Sequence, residues 1–270
     1  MVIPSLTWVL LLVAAALCAV GFYKFVYFMS VGYGLAVAGI GVTILVIALA
    51  RGDLTAVMAV LCVLMVVYGF RLGGFLLIRE IKSAAYRKTL NAQTDKPVPL
   101  PVKLVMWIFM AVLYVVQTSA VWYREATAPR GPQLSAWIGA AVMLAGILLE
   151  AVADKQKSAA KKVDPNRPAM DGLYKLCRCP NYFGEIVFWT GVFVSGWSIL
   201  KGWQWLIAGI GYVAIFFIMV SGAKRLEKRQ NKNYGAMPEY RAYADSTPIL
   251  IPFLPIYHLV KEDAEGGKGK

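Results

Sequence analysis

The sequence predicts an all-α polytopic membrane protein with seven transmembrane helices and a cytoplasmic C-terminal cap. Hydrophobic residues make up 59% of the 270 residues, whereas soluble domains contain about 45–50%. Apolar stretches of about twenty residues recur along the chain, and this length crosses a hydrocarbon core about 30 Å thick. A transmembrane β-barrel would show short alternating segments instead. Composition and segment length therefore both favour transmembrane helices.

The apolar segments define the predicted spans and the connections between them. The spans cover residues 4–23, 27–50, 54–78, 102–124, 132–153, 183–200 and 202–222. We expect the first to be retained, because it lacks the basic residues that open a signal peptide. Residues 1–260 are expected to form a single seven-helix domain, and residues 261–270 a disordered tail rich in glycine and charge.

The basic residues are distributed unevenly between the two sides of this layout. With the N-terminus outside, 23 of the 28 Lys and Arg residues fall in cytoplasmic segments and four on the outer side. Positive charge collects on the cytoplasmic side of membrane proteins, so we expect the C-terminus in the cytoplasm. The net charge of +13 is then explained by topology and by attraction to membrane lipids. Nucleic-acid binding is not expected.

The cysteines do not follow a pattern typical of disulfides or metal ligands. Cys18 and Cys62 lie inside apolar segments, and Cys177 and Cys179 lie in a basic loop. The only histidine, His258, is remote from them in sequence. We therefore expect reduced thiols and no metal site.

Charged residues continue the line of the fifth span. Glu150, Asp154, Lys157 and Lys161 follow one another at helical spacing, so a continuing helix would place them along one stripe. Ionisable residues at the ends of spans are costly and are candidates for function. Snorkelling lysines and a helix-end ion pair are the structural alternative.

The third span contains Tyr68 and Arg71, which are three residues apart. A buried guanidinium needs an anion or several acceptors, and a buried tyrosine hydroxyl needs a partner. The two residues are therefore candidates for function. A structural pair inside the membrane is the alternative.

A polar segment leads from the second basic loop into the sixth span. Pro180 favours the start of a helix, which leaves free backbone N–H groups beside Arg178. Such a helix start is a plausible phosphate site. Asn181 and Glu185 are four residues apart, and together they offer hydrogen-bond donors and acceptors to a planar amide.

The C-terminal region combines charges with aromatic residues. Arg225 and Glu227 follow the last span, and Tyr240 and Tyr243 come before a final apolar stretch. This pattern indicates a cap folded over a cytoplasmic pocket. An amphipathic tail lying on the lipid surface is the alternative.

Short motifs in the C-terminal half are typical of one group of membrane enzymes. They are Gly172-Leu173-Tyr174, Arg178-x-Pro180-Asn181-Tyr182-x-Gly184-Glu185, Leu226-Glu227, and Tyr240-x-x-Tyr243 followed by Ile251-Pro252. With them the chain resembles the membrane superfamily of steroid 5-alpha-reductases and sterol reductases, especially its small bacterial DUF1295 members. Similarity is best over residues 145–253, and Tyr68-Gly69-Phe70-Arg71 is similar to the steroid-binding segment of the eukaryotic reductases.

This resemblance implies a seven-helix fold with NADPH in a cytoplasmic-facing cavity, and a location in the bacterial inner membrane. Together with the patterns above, it assigns to the cofactor Glu150, Asp154, Lys161, Arg178, Asn181, Tyr182, Glu185, Arg225, Glu227, Tyr240 and Tyr243. Asn181 matches the residue that holds the nicotinamide, and Tyr68 matches the tyrosine that bonds the substrate carbonyl. The glutamate that partners this tyrosine in steroid reductases has no evident counterpart, because the second span is apolar throughout.

The activity implied by the resemblance is hydride transfer from NADPH to an enone-type double bond of a steroid-like or other lipid. It is the chemistry of a 3-oxo-5-alpha-steroid 4-dehydrogenase. Hydride addition makes an enolate, which a donor at the carbonyl oxygen stabilises. Tyr68 is the expected donor, with Arg71 nearby, and Gln117 is a second candidate for substrate binding. The alternatives are an S-adenosylmethionine-dependent methyltransferase of the isoprenylcysteine or phospholipid type and a non-catalytic lipid-binding membrane protein.

Overall fold

A computed structural model of the chain describes residues 5–82, 98–127 and 129–260. These residues form helices and contain no β-strand, which confirms the all-α class. The α-helices are α1 (Ser5–Cys18), α2 (Val31–Arg51), α3 (Ala56–Lys82), α4 (Leu100–Gln117), α5 (Ser119–Thr127), α6 (Leu134–Val163), α7 (Pro180–Ser195), α8 (Trp203–Tyr234) and α9 (Pro238–Ser246). Short 3₁₀ helices cover Ala19–Phe22, Phe25–Met29 and Gly172–Lys175.

Six segments of the described chain are long and apolar enough to cross a membrane. They are Ser5–Phe22, Val31–Arg51, Ala56–Lys82, Leu100–Gln117, Leu134–Val163 and Trp203–Tyr234. This supports a polytopic membrane protein, but the predicted count of seven spans is not confirmed. The predicted span over residues 183–200 is the difference, because α7 has 16 residues and ends at Ser195. At about 1.5 Å per residue, such a helix is shorter than the hydrocarbon core.

Several helix boundaries differ from the predicted ones. The fourth predicted span, 102–124, is interrupted at Thr118, whose hydroxyl donates to the backbone oxygens of Tyr114 (2.9 Å) and Val115 (3.1 Å). Side-chain bonds of this kind compete with the regular helix pattern. In contrast, α6 and α8 continue past their predicted spans, to Val163 and Tyr234. Hydropathy locates the apolar part of a helix and not the polar turns that extend it.

The chain divides into two compact units. The first consists of residues 1–143 and 189–214, and the second of residues 144–188 and 215–270. The prediction that residues 1–260 form one domain stays a prediction. The predicted tail, 261–270, and most of the predicted loop 79–101 lie outside the described residues.

Glycines allow α2 and α3 to pack closely in the first unit. A side chain at Gly34 would lie 2.7 Å from the backbone nitrogen of Gly73, and one at Gly69 would lie 2.8 Å from that of Ala38. Small residues permit such close approach of membrane helices. Because Tyr33 and Tyr68 directly precede Gly34 and Gly69, this packing also fixes the positions of the two tyrosines.

A second pair of glycines joins α6 to α7 in the second unit. A side chain at Gly146 would lie 2.7 Å from the Cα atom of Phe188, and one at Gly184 would lie 2.6 Å from Cγ of Glu150. Glu150 is therefore held against the first turns of α7. This contact begins the candidate cofactor site.

Candidate functional site

The segment before α7 folds back onto α6 in the second unit. Gly172 adopts a φ of 66°, a left-handed conformation that favours glycine. The backbone N–H of Leu173 then donates to Oε1 of Gln156 at 2.8 Å, and the Tyr174 hydroxyl donates to the backbone oxygen of Ala153 at 3.4 Å. The Gly-Leu-Tyr motif thus serves to attach the turn to α6. Gln156, its partner, was not predicted.

The start of α7 presents a polar side chain with an unsatisfied acceptor. Asn181 lies in the first turn of α7, and its Oδ1 atom is buried with no hydrogen-bond partner among the described residues. A buried acceptor without a partner costs about 1–3 kcal/mol. One turn further on, Glu185 is buried, as is Glu150 of α6. These three side chains offer a ligand hydrogen-bond acceptors, and the two carboxylates also offer negative charge.

Asp154 extends the same face of α6 by one turn. It interacts electrostatically with Tyr174, whose pKa is raised well above its ordinary value, mainly by burial and further by this carboxylate. Because α6 continues to Val163, the helix required for the predicted stripe from Glu150 to Lys161 is present.

Basic side chains of α8 lie beside the first turn of α7. The ring of Tyr182 lies against Gly222, where a side chain would come within 3.2 Å of its Cε2 atom. Tyr182 also interacts electrostatically with Arg225 and Arg229, and both arginines are exposed. These arginines are therefore accessible to an anion that approaches α7.

Lys161 closes the turn that follows α6. Its ammonium donates to the backbone oxygens of Pro165 (2.9 Å) and Arg167 (2.6 Å) and to the Tyr234 hydroxyl (2.7 Å). It also lies 4.9 Å from the centre of the Tyr234 ring. The structure thus places Lys161 in the contact between α6 and the end of α8.

Arg178 and Glu227 form an ion pair that excludes water. Nη2 of Arg178 donates to Oε1 of Glu227 at 2.7 Å, and both side chains are 0% exposed. Arg178 also donates to the backbone oxygen of Tyr257. The second Glu227 oxygen accepts the backbone N–H groups of Leu259 (2.8 Å) and Val260 (3.0 Å). The pair therefore ties the final segment of the described chain to the turn before α7.

The two predicted tyrosines of the cap take part in the same attachment. Tyr243 donates its hydroxyl to the backbone oxygen of Tyr174 at 2.7 Å, and Tyr240 donates to Oδ1 of Asn231 at 2.8 Å. The backbone N–H of Arg178 donates to the backbone oxygen of Pro248 at 2.8 Å. Four of the predicted cofactor residues thus make internal contacts that hold the cap. They are Arg178, Glu227, Tyr240 and Tyr243.

All four cysteines are buried and have no disulfide partner in the structure. Burial raises the pKa of Cys177 to about 11 and that of Cys179 to about 12, so both thiols are neutral at physiological pH. Within the described ranges, no cluster of three or more His, Cys, Asp or Glu side chains could hold a metal ion.

The first unit contains a buried cluster of aromatic side chains around Tyr68. The indole N–H of Trp189 donates to the Tyr33 hydroxyl at 2.7 Å, and the hydroxyls of Tyr33 and Tyr68 are 3.1 Å apart. Tyr114 stacks on Tyr33 with ring centres 4.8 Å apart. Neither Tyr33 nor Trp189 was predicted, because an aromatic residue in an apolar span is usually ordinary core.

The other predicted substrate residues also lie in the first unit. Arg71 follows Tyr68 on α3 by one turn. Gln117 ends α4 and is buried, and both its Oε1 and its Nε2 lack hydrogen-bond partners among the described residues. The predicted substrate residues thus belong to the first unit and the predicted cofactor residues to the second.

Comparisons with known proteins give two kinds of match. The family described as "Protein of unknown function (DUF1295)" matches residues 22–247. Among curated proteins, 3-oxo-5-alpha-steroid 4-dehydrogenase 1 of Bos taurus is 28% identical over 118 residues. Steroid 5-alpha-reductase DET2 of Arabidopsis thaliana is 32% identical over 119 residues.

Each of these two alignments covers 43% of the chain and 41% of the relative, so the chain matches less than half of the length of either reductase. No solved structure matches the chain. The family match, in contrast, covers most of it. The chain therefore belongs to the DUF1295 family, within the steroid 5-alpha-reductase-like superfamily of membrane proteins.

Proposed function

We propose that this protein is an NADPH-dependent membrane reductase that acts on the activated double bond of an α,β-unsaturated lipid ketone. The relatives named as steroid 5-alpha-reductases support a reductase. The observation that carries the proposal is the buried, unsatisfied Oδ1 atom of Asn181. Its position at the start of α7, near buried carboxylates and exposed arginines, fits a ligand with both an amide and phosphates.

The residues around α7 fit such a cofactor in chemical type. The carboxamide N–H group of a nicotinamide would satisfy Oδ1 of Asn181, with Glu150 and Glu185 as further acceptors. Arg225 and Arg229, exposed beside Tyr182, would bind phosphate groups of the nucleotide. Asp154 and Lys161 complete the predicted set on α6. When bound, NADPH supplies the hydride.

We assign a positioning role to the predicted residues that bond within the second unit. The Arg178–Glu227 pair and the hydroxyls of Tyr240 and Tyr243 hold the cap against the turn before α7. Such contacts order the segment that carries Asn181 and need not touch the cofactor.

The lipid needs a hydrogen-bond donor at its carbonyl oxygen. Addition of hydride to the β-carbon moves the π electrons to the oxygen, and the resulting enolate takes a proton from water at its α-carbon. Tyr68 is the proposed donor to this oxygen, and Arg71 favours the negative charge as it develops. The amide of Gln117, buried and unsatisfied among the described residues, is a further candidate to bond a polar group of the lipid.

The first experiment identifies the nucleotide and tests Asn181. The purified protein is analysed by mass spectrometry for bound nucleotide, and NADPH affinity is measured for Asn181→Ala and for the control Asn233→Ala. Because Asn233 is exposed near the end of α8, its loss should change nothing. Asn181→Ala should weaken NADPH binding by about 1–3 kcal/mol, the cost of an unmade buried hydrogen bond.

The outcomes separate the competing functions. Bound NADP with weaker binding by Asn181→Ala supports the reductase. Bound S-adenosylmethionine or its demethylated product would instead show a methyltransferase. If the parent protein binds neither nucleotide, the non-catalytic function is favoured and the reductase proposal fails.

A further inference from the structure

The Tyr33 hydroxyl is bonded on two sides in the interior of the first unit. An indole N–H can only donate, so Tyr33 is the acceptor in its 2.7 Å bond with Trp189. The next oxygen, that of Tyr68, lies 3.1 Å away and can accept the hydrogen of Tyr33. In this arrangement the hydrogen of Tyr68 is directed away from Tyr33, towards a different acceptor.

The surrounding side chains hold Tyr33 in place. Its ring stacks on Tyr114 on one side and lies parallel to Trp189 at 6.3 Å, with an interplanar angle of 15°. Tyr114 is itself fixed, because its hydroxyl donates to the backbone oxygen of Phe28 at 2.7 Å. All three rings are buried, so Tyr33 has little freedom to rotate out of the chain of bonds.

The backbone packing contributes to the same geometry. Gly34 and Gly69, adjacent to Tyr33 and Tyr68, bring α2 and α3 into direct contact. The spacing between the backbones that carry the two tyrosines is therefore set by helix packing.

We propose that Tyr33 is a positioning residue for Tyr68, in a chain of bonds from Trp189 through Tyr33 to Tyr68 and on to the carbonyl oxygen of a neutral lipid. This inference rests on the proposed reductase function. No covalent bond forms or breaks within this chain of hydrogen bonds. Each group donates one hydrogen bond to the next. Hydrogen bonds in series strengthen one another in a low-dielectric interior, so negative charge on the carbonyl oxygen is stabilised beyond what Tyr68 alone provides.

The chain of hydrogen bonds also indicates what kind of substrate the site takes. No acidic residue occurs in α2, so the group that this helix places next to the Tyr68 hydroxyl is the neutral phenol of Tyr33. A neutral donor chain suits an uncharged ketone whose oxygen becomes negative during reaction. We expect a carboxylated lipid of the same shape to be a poor substrate, because its charge would be buried in the membrane.

The test is a double-mutant cycle on the full-length protein in detergent. Single-turnover oxidation of NADPH is measured with progesterone and with a linear long-chain enone. The variants are Tyr33→Phe, Tyr68→Phe and the double variant, with Tyr23→Phe as control, since Tyr23 is 87% exposed. NADPH affinity and melting temperature are measured for every variant.

Tyr68→Phe should slow turnover about 10²- to 10³-fold, by analogy with loss of one oxyanion donor. Tyr33→Phe should slow it about tenfold, the effect of one ordinary hydrogen bond, with NADPH affinity unchanged. In the double variant Tyr33→Phe should add nothing, because it acts only through Tyr68. Trp189→Phe, which removes the indole N–H together with part of the ring, should slow turnover in the same direction as Tyr33→Phe.

Other results would overturn the inference. If the two substitutions multiply in the double variant, or if Tyr33→Phe lowers only the melting temperature, Tyr33 is a packing residue. A parent protein that binds NADPH but oxidises it with neither enone would instead remove the proposed function, and this assignment with it.

Discussion

Each unit of the molecule buries an arginine, and the two arginines bond to partners of different kinds. In the first unit, Arg124 donates to neutral oxygens, including the backbone oxygens of Ser195 (2.8 Å) and Pro132 (2.9 Å) and the Ser198 hydroxyl (3.1 Å). In the second, Arg178 faces the carboxylate of Glu227 at 2.7 Å. One positive charge is dispersed over dipoles, and the other is neutralised by a negative charge.

The different partners of Arg124 and Arg178 indicate what each arginine contributes to its unit. Loss of Arg124 would leave neutral acceptors, which are easier to rehydrate or rearrange. Loss of Arg178 would leave the Glu227 carboxylate 0% exposed; it would keep its contacts to His258 and to the backbone N–H groups of Leu259 and Val260 but lose the guanidinium, and a buried charge that loses its ion-pair partner is costly. Arg124 joins backbone segments. The attachment of the C-terminal segment, in contrast, depends on the positive charge of Arg178.

The largest expected effect is therefore that of Arg178→Ala. Removing one partner of a buried ion pair costs about 3–5 kcal/mol, and the variant should lower the free energy of unfolding in detergent by this amount. Glu227→Gln, which removes the charge and keeps the shape, provides a second measurement if Arg178→Ala does not fold.

An exposed ion pair in the same unit provides the control. Lys175 and Asp171 are 3.3 Å apart with side chains 70% and 93% exposed, and such pairs contribute about 0–1 kcal/mol. Lys175→Ala should therefore leave stability almost unchanged. Equal losses for Arg178→Ala and Lys175→Ala would show that burial of the pair has no energetic consequence.

A smaller effect is expected for Arg124→Ala in the first unit. It leaves neutral acceptors, and because Pro132 and Ser198 are exposed their oxygens can bond to water instead. The loss of stability should therefore be about 1–3 kcal/mol, lower than for Arg178→Ala. Arg130→Ala is the control, because Arg130 is 72% exposed. A loss for Arg124→Ala greater than that for Arg178→Ala would reverse the proposed contrast between dispersed and paired charge.

The smallest effect concerns the pH dependence of stability, and it comes from Cys179 beside Arg178. Burial raises the pKa of this thiol from its ordinary value of 9.0 to about 12. Above about pH 9 the unfolded chain releases the thiol proton, whereas the folded chain retains it. The contribution of the protonated Cys179 thiol to the free energy of unfolding is therefore complete below about pH 9 and is lost as pH rises towards 12.

Unfolding measurements on the parent and on Cys179→Ala at about pH 8 and about pH 10 check this expectation. The stability difference between the two proteins should fall by about 1 kcal/mol over this range. Parallel pH profiles would show that the Cys179 thiol titrates as it does in the unfolded chain.

The parts of the fold that depend on local sequence were predicted well. Long apolar segments determine α2 and α3, and Pro180 was recognised as the start of α7. The break at Thr118 was missed, because the competing hydroxyl bonds to Tyr114 and Val115 leave no trace in hydropathy. The length of α7 was overestimated because apolar residues continue past Ser195 in loop conformation.

The candidate site was predicted unevenly, for a physical reason. Asn181 and Glu185 lie one helical turn apart, so their relation is visible in the sequence. Arg178 and Glu227 are separated by 49 residues, and sequence patterns identified both without revealing that they bond to each other. The contact between Tyr33 and Trp189 was not predicted, because the two residues are 156 positions apart in the sequence.

By itself, the sequence determined the all-helical class, the membrane character and the segments that carry polar residues, because hydrophobic length and helical spacing are properties of neighbouring residues. Only the tertiary structure decided which polar groups meet. Glycines such as Gly34, Gly69, Gly146 and Gly184 bring helix backbones into contact, and these contacts pair Tyr33 with Tyr68 and hold Glu150 against α7. Hydrogen bonds and ion pairs act over about 3 Å, so their partners are defined only after packing has brought distant segments together.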